Sequence, residues 1–349
     1  MKLLSLQTAI PQNSFTQPEC WNILSNSPAR KGLRERSWSL LEKVLTKPHG
    51  IDRRHFAIEN IEDVFTLPPD RLHEEFARHA PALAGKALQQ ALEESQINPS
   101  ELDALLICTC TGYLCPGLTS YVAEQNGLRS DAFLQDLVGL GCGAAIPTLR
   151  AAEAILARHP GAKVATIAVE ICSAAFYLDD DPGVLISACL FSDGAAAAIW
   201  EGENGRKEHR HQWRIAGFDT LHIPADREFL RFEYKNGYLR NKLHRSVPEK
   251  AAAAVQNLWG RKASSATPHF LVHPGGRDVL DSIATILPES PELLESRKVL
   301  AEHGNMSSPS ILFALKAFLQ NPPSPSPSDL WLTSFGAGFS AHSTHLQKA

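Results

Sequence analysis

One αβ unit is written twice in this chain, and that repeat limits the folds open to it. In the first half an Ala- and Leu-rich helical stretch, residues 81–95, leads into an apolar run, 105–108, and then the turn-rich TGYLCPG. Cys142 follows and opens another Ala-rich helical stretch that reaches Arg158. In the second half a helical stretch, 248–258, leads into the apolar 270–272, the turn HPGG at His273, and Asn305 before the helical run 311–319. Cys142 lies 34 residues beyond Cys108, and Asn305 lies 32 beyond His273. Each helical stretch is followed by a further apolar run, 163–169 in one half and 330–333 in the other. Two copies of a unit whose loops carry polar or reactive residues predict a pseudo-twofold α/β fold, sheets covered by helices, with the active site where the halves meet.

The polar tract EGENGRKEHRHQ, 201–212, is the best boundary, dividing 1–205 from 206–349. Its histidines read as part of a solvated loop. The proline-stiffened NPPSPSPS, 321–328, is a surface connection before the last strands.

A length of 349 residues with 44% hydrophobic and 21% charged residues is enough for a large packed core and argues against disorder. The 34 basic and 38 acidic residues give no basic field for a nucleic-acid backbone, so a nucleic-acid partner is not expected. No apolar run approaches the length of a membrane span, and the N-terminal apolar run is too short for a signal peptide. Seven cysteines, an odd number, read as reduced thiols of a cytoplasmic protein.

Cys142 stands in GLGCGAAIPTL, where two glycines allow a tight turn and Pro147 fits the first turn of the helix that follows. A thiol at a helix start feels the positive end of the dipole, which lowers its pKa and makes a nucleophile; a small buried packing residue is the other reading. GLGCGA lacks the glycine spacing of a dinucleotide fingerprint. His273 ends an apolar strand at a Pro-Gly-Gly stop, a position that displays an imidazole at a sheet edge or simply buries it. Asn305 precedes a helix with Ser307 or Ser308 as candidate caps. Cys108, Cys110 and Cys115 have poor zinc spacing and no second ligand group, so no metal is expected. The acidic run Asp179, Asp180 and Asp181 reads as a solvated turn, and Asp193 with Gly194 as a turn between two strands.

Taken in order, GCGAA at Cys142, LFSDGAAAAI at Phe191, HPGG at His273, GNMSS at Asn305 and the terminal SFGAGF resemble the type III polyketide synthases, the chalcone and stilbene synthase group of the thiolase superfamily. The resemblance runs from about Ile51 to the C terminus. It implies a thiolase-like fold of two αβαβα halves in five layers, a homodimer, acyl-CoA and malonyl-CoA as substrates, and no cofactor beyond those thioesters. By the family pattern Cys142 would carry the acyl starter as a thioester, activated by an ion pair with His273. His273 and Asn305 would stabilise the enolate left by malonyl decarboxylation and the oxyanion of condensation. Repeated Claisen condensations and cyclisation in the same cavity follow from the pattern.

Phe191 matches the phenylalanine between that cavity and the coenzyme A tunnel, and Ser307 and Gly338 fall in motifs beside the substrate. Asn241 replaces the second gatekeeping phenylalanine, which predicts a more polar tunnel mouth and an aliphatic, fatty-acyl starter giving an alkylresorcinol or alkylpyrone. Ala175 and Ser187 replace a threonine and a glycine of the plant enzymes, one change enlarging the cavity and the other filling it. Cys115 replaces a methionine that reaches across the dimer, and Ala337 a proline of the terminal loop. Lys43, Lys47, Arg53 and Arg54 are the candidate contacts for the coenzyme A phosphates. Two alternatives use the same residue types: a ketoacyl-ACP synthase III performing one condensation, and a papain-like cysteine hydrolase, which also runs Cys, His, Asn in chain order. The 141 residues before Cys142 and the αβ repeat count against the hydrolase.

Overall fold

The computed structural model describes residues 1–202, 212–261 and 267–348. The first half runs β1 (Lys2–Ala9), β2 (Ser14–Thr16), α1 (Gln17–Asn26), α2 (Glu35–Thr46), β3 (Arg53–His55), α3 (Pro69–Ser95), β4 (Ala104–Thr109), α4 (Leu118–Asn126), β5 (Phe133–Val138), α5 (Ala145–Arg158), β6 (Lys163–Glu170), α6 (Pro182–Leu190) and β7 (Gly194–Glu201). The second runs β8 (Trp213–His222), β9 (Leu230–Lys235), β10 (Tyr238–Leu243), α7 (Val247–Gly260), β11 (His269–Val272), α8 (Arg277–Ile286), α9 (Leu294–His303), α10 (Ser310–Gln320), β12 (Asp329–Gly336) and β13 (Ser340–Lys348).

The repeat is visible in the strand order. The first half pairs β5-β4-β6-β7-β1 and the second β11-β12-β13-β8. In both, a parallel pair (β4 with β6, β11 with β12) is followed by two antiparallel pairings. Among the described residues β5 has no counterpart in the second half. The halves join at Lys2 opposite Arg214 and at the Ile215 amide on the Met1 carbonyl. The boundary expected at 205/206 and the tract 203–211 around it lie outside the described residues.

Strand periodicity sorts the side chains into layers. Leu105 and Ile107 of β4 pack toward α3, whose small residues Ala80, Ala84, Ala87 and Ala91 let it lie close on the sheet. Leu106 and Cys108 face the other way, into a central cluster with α5, α10 and the inner residues Leu271, Leu330 and Leu332 of the second half's strands. Phe270, Val272 and Trp331 point outward into a third cluster with α7 and α8. The result is the expected thiolase-like order α-β-α-β-α. The central helices α5 and α10 start at one end of the molecule, and Cys142 and Asn305 precede those starts.

Two local expectations differ. Asp193 lies between α6 and β7, and it is fully buried, accepting from the Ser173 and Ala57 amides and the Ser173 hydroxyl. Asp179, Asp180 and Asp181 form a bonded network, described below. Pro147 does sit in the first turn of α5.

Candidate active site

Cys142 occupies the 3-10 turn Gly141–Gly143 that precedes α5. The turn is pressed against the SFGAGF loop. Gly141 has φ +57°, and a side chain there would meet the Ala337 amide at 2.9 Å. A Cβ on Gly336 would collide with the Leu140 carbonyl and the Gly143 amide. These two motifs, 193 residues apart in the chain, need glycine because their backbones touch.

His273 follows β11, its amide donating to the Thr333 carbonyl at 2.9 Å. The residue is completely buried, its ring edge-on to Phe335 at 5.2 Å, and neither ring nitrogen has a hydrogen-bond partner among the described residues. Asn305 is tied to Phe191 by a parallel bridge, with its amide on the Leu190 carbonyl and its own carbonyl accepting from Ser192. Its Nδ2 donates to the Gly275 carbonyl at 3.1 Å and its Oδ1 accepts from the Ser307 amide at 2.8 Å, leaving one N–H of the side chain for a ligand.

Cys142, His273 and Asn305 share the wall of one cavity of about 320 Å³. Phe191 closes its inner end and Arg245, Arg277, His244 and His49 lie toward its mouth. On the other side of Phe191 is a second cavity of about 20 Å³ whose wall includes Ala175, Ser187, Asn241 and Ser307. Asn241 therefore lines the inner cavity and not the wide outer one, contrary to the polar tunnel mouth predicted. Ser307 is not a helix cap: α10 starts at Ser310 with Pro309 before it. Held at φ +61°, Ser307 instead donates its hydroxyl to the Cys142 sulfur at 3.2 Å and lies 3.2 Å from the Cys110 sulfur. Ser308 donates to the buried Glu170 carboxylate.

Electrostatically the site opposes isolated charges. Burial pushes the Cys142 thiol up to about 12, with the Glu170 carboxylate adding to it and the Ser307 hydrogen bond opposing. Burial pushes His273 down to about 3. The expected lowering of the thiol by the helix start is thus outweighed by desolvation. Burial disfavours the charged form of each group.

The remaining predicted residues scatter. Gly338, at φ +124°, faces His222 in the β12–β13 turn and lines neither cavity. Lys43 and Lys47 are exposed on and just after α2, whereas Val44 and His49 are the residues of that stretch on the cavity wall. Arg53 is exposed and donates to Ser14. Arg54 is 3% exposed and donates to Gln17 Oε1, the Ala188 carbonyl and the Phe191 carbonyl, so it pins the Phe191 loop from below. Among the described residues no cluster of His, Cys, Asp and Glu could hold a metal. No described helix is long and apolar enough to cross a membrane.

Residues 11–228 match the family of FAE1/type III polyketide synthase-like proteins, and 222–322 match the C-terminal domain of chalcone and stilbene synthases. The chain belongs to the type III polyketide synthases. It is 27% identical over 317 residues to a 1,3,6,8-tetrahydroxynaphthalene synthase of Streptomyces coelicolor, covering 88% of this chain and 82% of that one. It is also 27% identical over 328 residues to a 3,5-dihydroxyphenylacetyl-CoA synthase of Amycolatopsis orientalis, covering 88% and 82%. The solved Streptomyces coelicolor tetrahydroxynaphthalene synthase superposes with a TM-score of 0.85 at 24% identity over 100% and 99% of the two chains. PKS-I of the brown alga Ectocarpus siliculosus gives 0.87 at 23% over 99% and 98%. These two structures share the fold. As a type III polyketide synthase the protein is an acyl-CoA-condensing transferase, and the papain-like reading is set aside.

Two features of this polyketide synthase were not anticipated. Arg245 and Arg277 at the cavity mouth carry no motif. The β9–β10 hairpin that delivers Asn241 was readable, because LRFEYKNGYLRNKL has an Asn-Gly between two alternating runs. Asn236 and Gly237 have φ of +53° and +84°, as that turn requires.

Proposed function

We propose that this synthase loads an acyl group from coenzyme A onto Cys142 and extends it by iterative decarboxylative condensation with malonyl-CoA before cyclisation. The observation that carries this reading is the convergence of Cys142, His273 and Asn305 on one 320 Å³ cavity, with both His273 nitrogens unpartnered. In loading, the Cys142 sulfur attacks the thioester carbonyl as its proton passes to His273, and coenzyme A leaves with a proton. In extension, the carboxylate of malonyl-CoA departs as carbon dioxide and the bonding pair moves onto the neighbouring carbon. The resulting enolate oxygen accepts hydrogen bonds from His273 and from the free N–H of Asn305, and its carbon attacks the acyl group on Cys142, displacing the sulfur. Decarboxylation supplies the carbanion, so the chemistry calls for no cofactor beyond the thioesters.

In this account residues 1–205 contribute the nucleophile and 206–349 the histidine and asparagine. Arg245 and Arg277 replace Lys43, Lys47, Arg53 and Arg54 as the preferred phosphate contacts, since they line the mouth. A homodimer is supported by β5, whose outer edge has no neighbour among the described residues and which exposes Phe133 (53%) and Val138 (52%). Seven free cysteines support a reducing, cytoplasmic setting. The test is mass spectrometry of products from a panel of acyl-CoAs with malonyl-CoA. Malonyl-dependent products that gain two carbons per step support the reading, a single condensation requiring carrier protein would favour the ketoacyl-ACP synthase alternative, and no malonyl-CoA consumption would overturn it.

A further inference from the structure

Resting on the condensation just proposed, we infer that His342 is a positioning residue for it: the ring buttresses the Cys142 turn from behind and fixes the sulfur relative to His273. His342 stands just beyond SFGAGF and lines neither cavity, so it acts through Cys142 and not on a substrate.

Three observations carry it. The buried ring lies so close behind Gly143 that a Cβ there would meet its Cδ2 at 3.1 Å, while the Ala337 amide closes on Gly141 from the other flank. The backbone of Cys142 is held between these two contacts. The ring is itself fixed on both sides, since Nδ1 lies 3.2 Å from the hydroxyl of Thr220, its cross-strand neighbour on β8, and Nε2 lies 3.2 Å from the Ser340 hydroxyl. Ser340 donates its own proton to the Ala337 carbonyl at 2.8 Å, so its oxygen accepts from Nε2–H and Nδ1 accepts from Thr220. Burial foremost, with His222 and Arg150 adding to it, holds this imidazole down to about 4, which keeps it in that one uncharged form at neutral pH. Finally, the same residue reaches the base: its carbonyl accepts from Thr333 Oγ1 at 3.1 Å, and the Thr333 carbonyl accepts the His273 amide at 2.9 Å.

The catalytic pair depends on such a support. Neither His273 nitrogen has a hydrogen-bond partner among the described residues, so no direct bond to the sulfur sets the separation of the two groups. That separation is left to the backbones that carry them, the Gly141–Gly143 turn and the end of β11. The Ser307 hydroxyl restrains the sulfur itself, and Ser334, opposite His342 in the β12–β13 register, donates to the Gly143 carbonyl at 3.3 Å. Gly143 has no side chain to fill the space behind it, and the His342 ring occupies that space. Without the ring the turn loses its stop, and a displacement of about 1 Å between nucleophile and base costs on the order of 100-fold in rate.

The test compares His342→Ala, His342→Gln and Thr220→Val with the wild type, each shown to be folded by circular dichroism. Two rates are read on the Cys142 peptide by mass spectrometry: single-turnover acylation by the acyl-CoA that the wild type prefers, and alkylation by iodoacetamide. His342→Ala is expected to slow acylation by about 30-fold and alkylation by about tenfold, with the KM for the acyl-CoA changed by less than about twofold. His342→Gln, which can still donate to Ser340, is expected to return both rates to within about fivefold of the wild type. Thr220→Val keeps the ring but removes its cross-strand partner; it is expected to slow acylation by about threefold, and it decides the matter if His342→Ala does not fold. A residue that only stabilises the fold would lower the urea midpoint and leave both rates of the folded enzyme unchanged. That result, or a loss confined to KM, overturns the inference. A wild type that no acyl-CoA acylates at Cys142 would instead overturn the condensation reading, and the alkylation rates would still decide the role of His342.

Discussion

If His273 is what ionises Cys142, replacing it by glutamine should leave a thiol governed by burial alone. The substitution keeps most of the ring's volume, so the cavity and the Phe335 contact persist. With the thiol held at about 12, the thiolate fraction at pH 7 is on the order of 10⁻⁵. It rises tenfold with each pH unit until the protein unfolds. In the wild type, proton transfer to the unpartnered imidazole supplies thiolate without hydroxide, so alkylation at pH 7 should be faster by at least about 100-fold and flatter in pH. The assay is iodoacetamide modification followed by peptide mass spectrometry. Mapping is needed because Cys110 and Cys115 are also partly or fully exposed, whereas the other four are buried like Cys142. The reasoning fails if His273→Gln is alkylated at Cys142 at the wild-type rate, or if both proteins show the same steep pH dependence.

Two further outcomes test the supporting structure. Arg54→Met removes three hydrogen bonds made by one buried guanidinium and strands the Ala188 and Phe191 carbonyls, which should cost about 3–5 kcal/mol in urea unfolding; a loss below about 1 kcal/mol would show that the Phe191 loop does not depend on it. Asp193 is raised by burial from 3.8 to about 6 in the fold, so the folded state holds its proton more tightly than the unfolded state between those values. Its ionisation therefore weakens the fold above pH 6, and that penalty, about 2–3 kcal/mol, fades as pH falls toward 4. The stability of the wild type relative to Asp193→Asn should therefore rise from pH 7 to pH 4, and a fall over that range would contradict the assignment.

What could be read in the chain and what could not divide along physical lines. Hydrophobic periodicity is local, so the runs at 105–108, 163–169, 270–272 and 330–333 announced β4, β6, β11 and β12, and their similar spacing announced the repeat. The glycines of GLGCGA were visible as a turn, but only the fold reveals that they face those of SFGAGF. Charged residues misled because their burial is decided by distant partners. Arg54 was a candidate contact for the coenzyme A phosphates, yet its acceptors Ala188 and Phe191 lie 134 and 137 residues away. The aspartates at 179–181 looked solvated, yet Arg240 and Ser37 meet them across 59 to 143 residues. Ser307 was misread as a cap because its sequence neighbourhood favours one, and its positive φ aims it at Cys142 instead. The thiol itself was placed correctly at the turn before a helix, but dipole arguments ignore how much water the fold removes.

The central claim is that carbon–carbon bond formation runs through an acyl thioester on Cys142. The most direct measurement is peptide mass spectrometry of enzyme quenched during turnover with acetyl-CoA and malonyl-CoA, in the wild type and Cys142→Ala. The account predicts acyl and β-ketoacyl masses on the Cys142 peptide of the wild type, and neither adduct nor condensation product from the variant. Polyketide product from Cys142→Ala, or acyl groups accumulating on Cys110 instead, would contradict it.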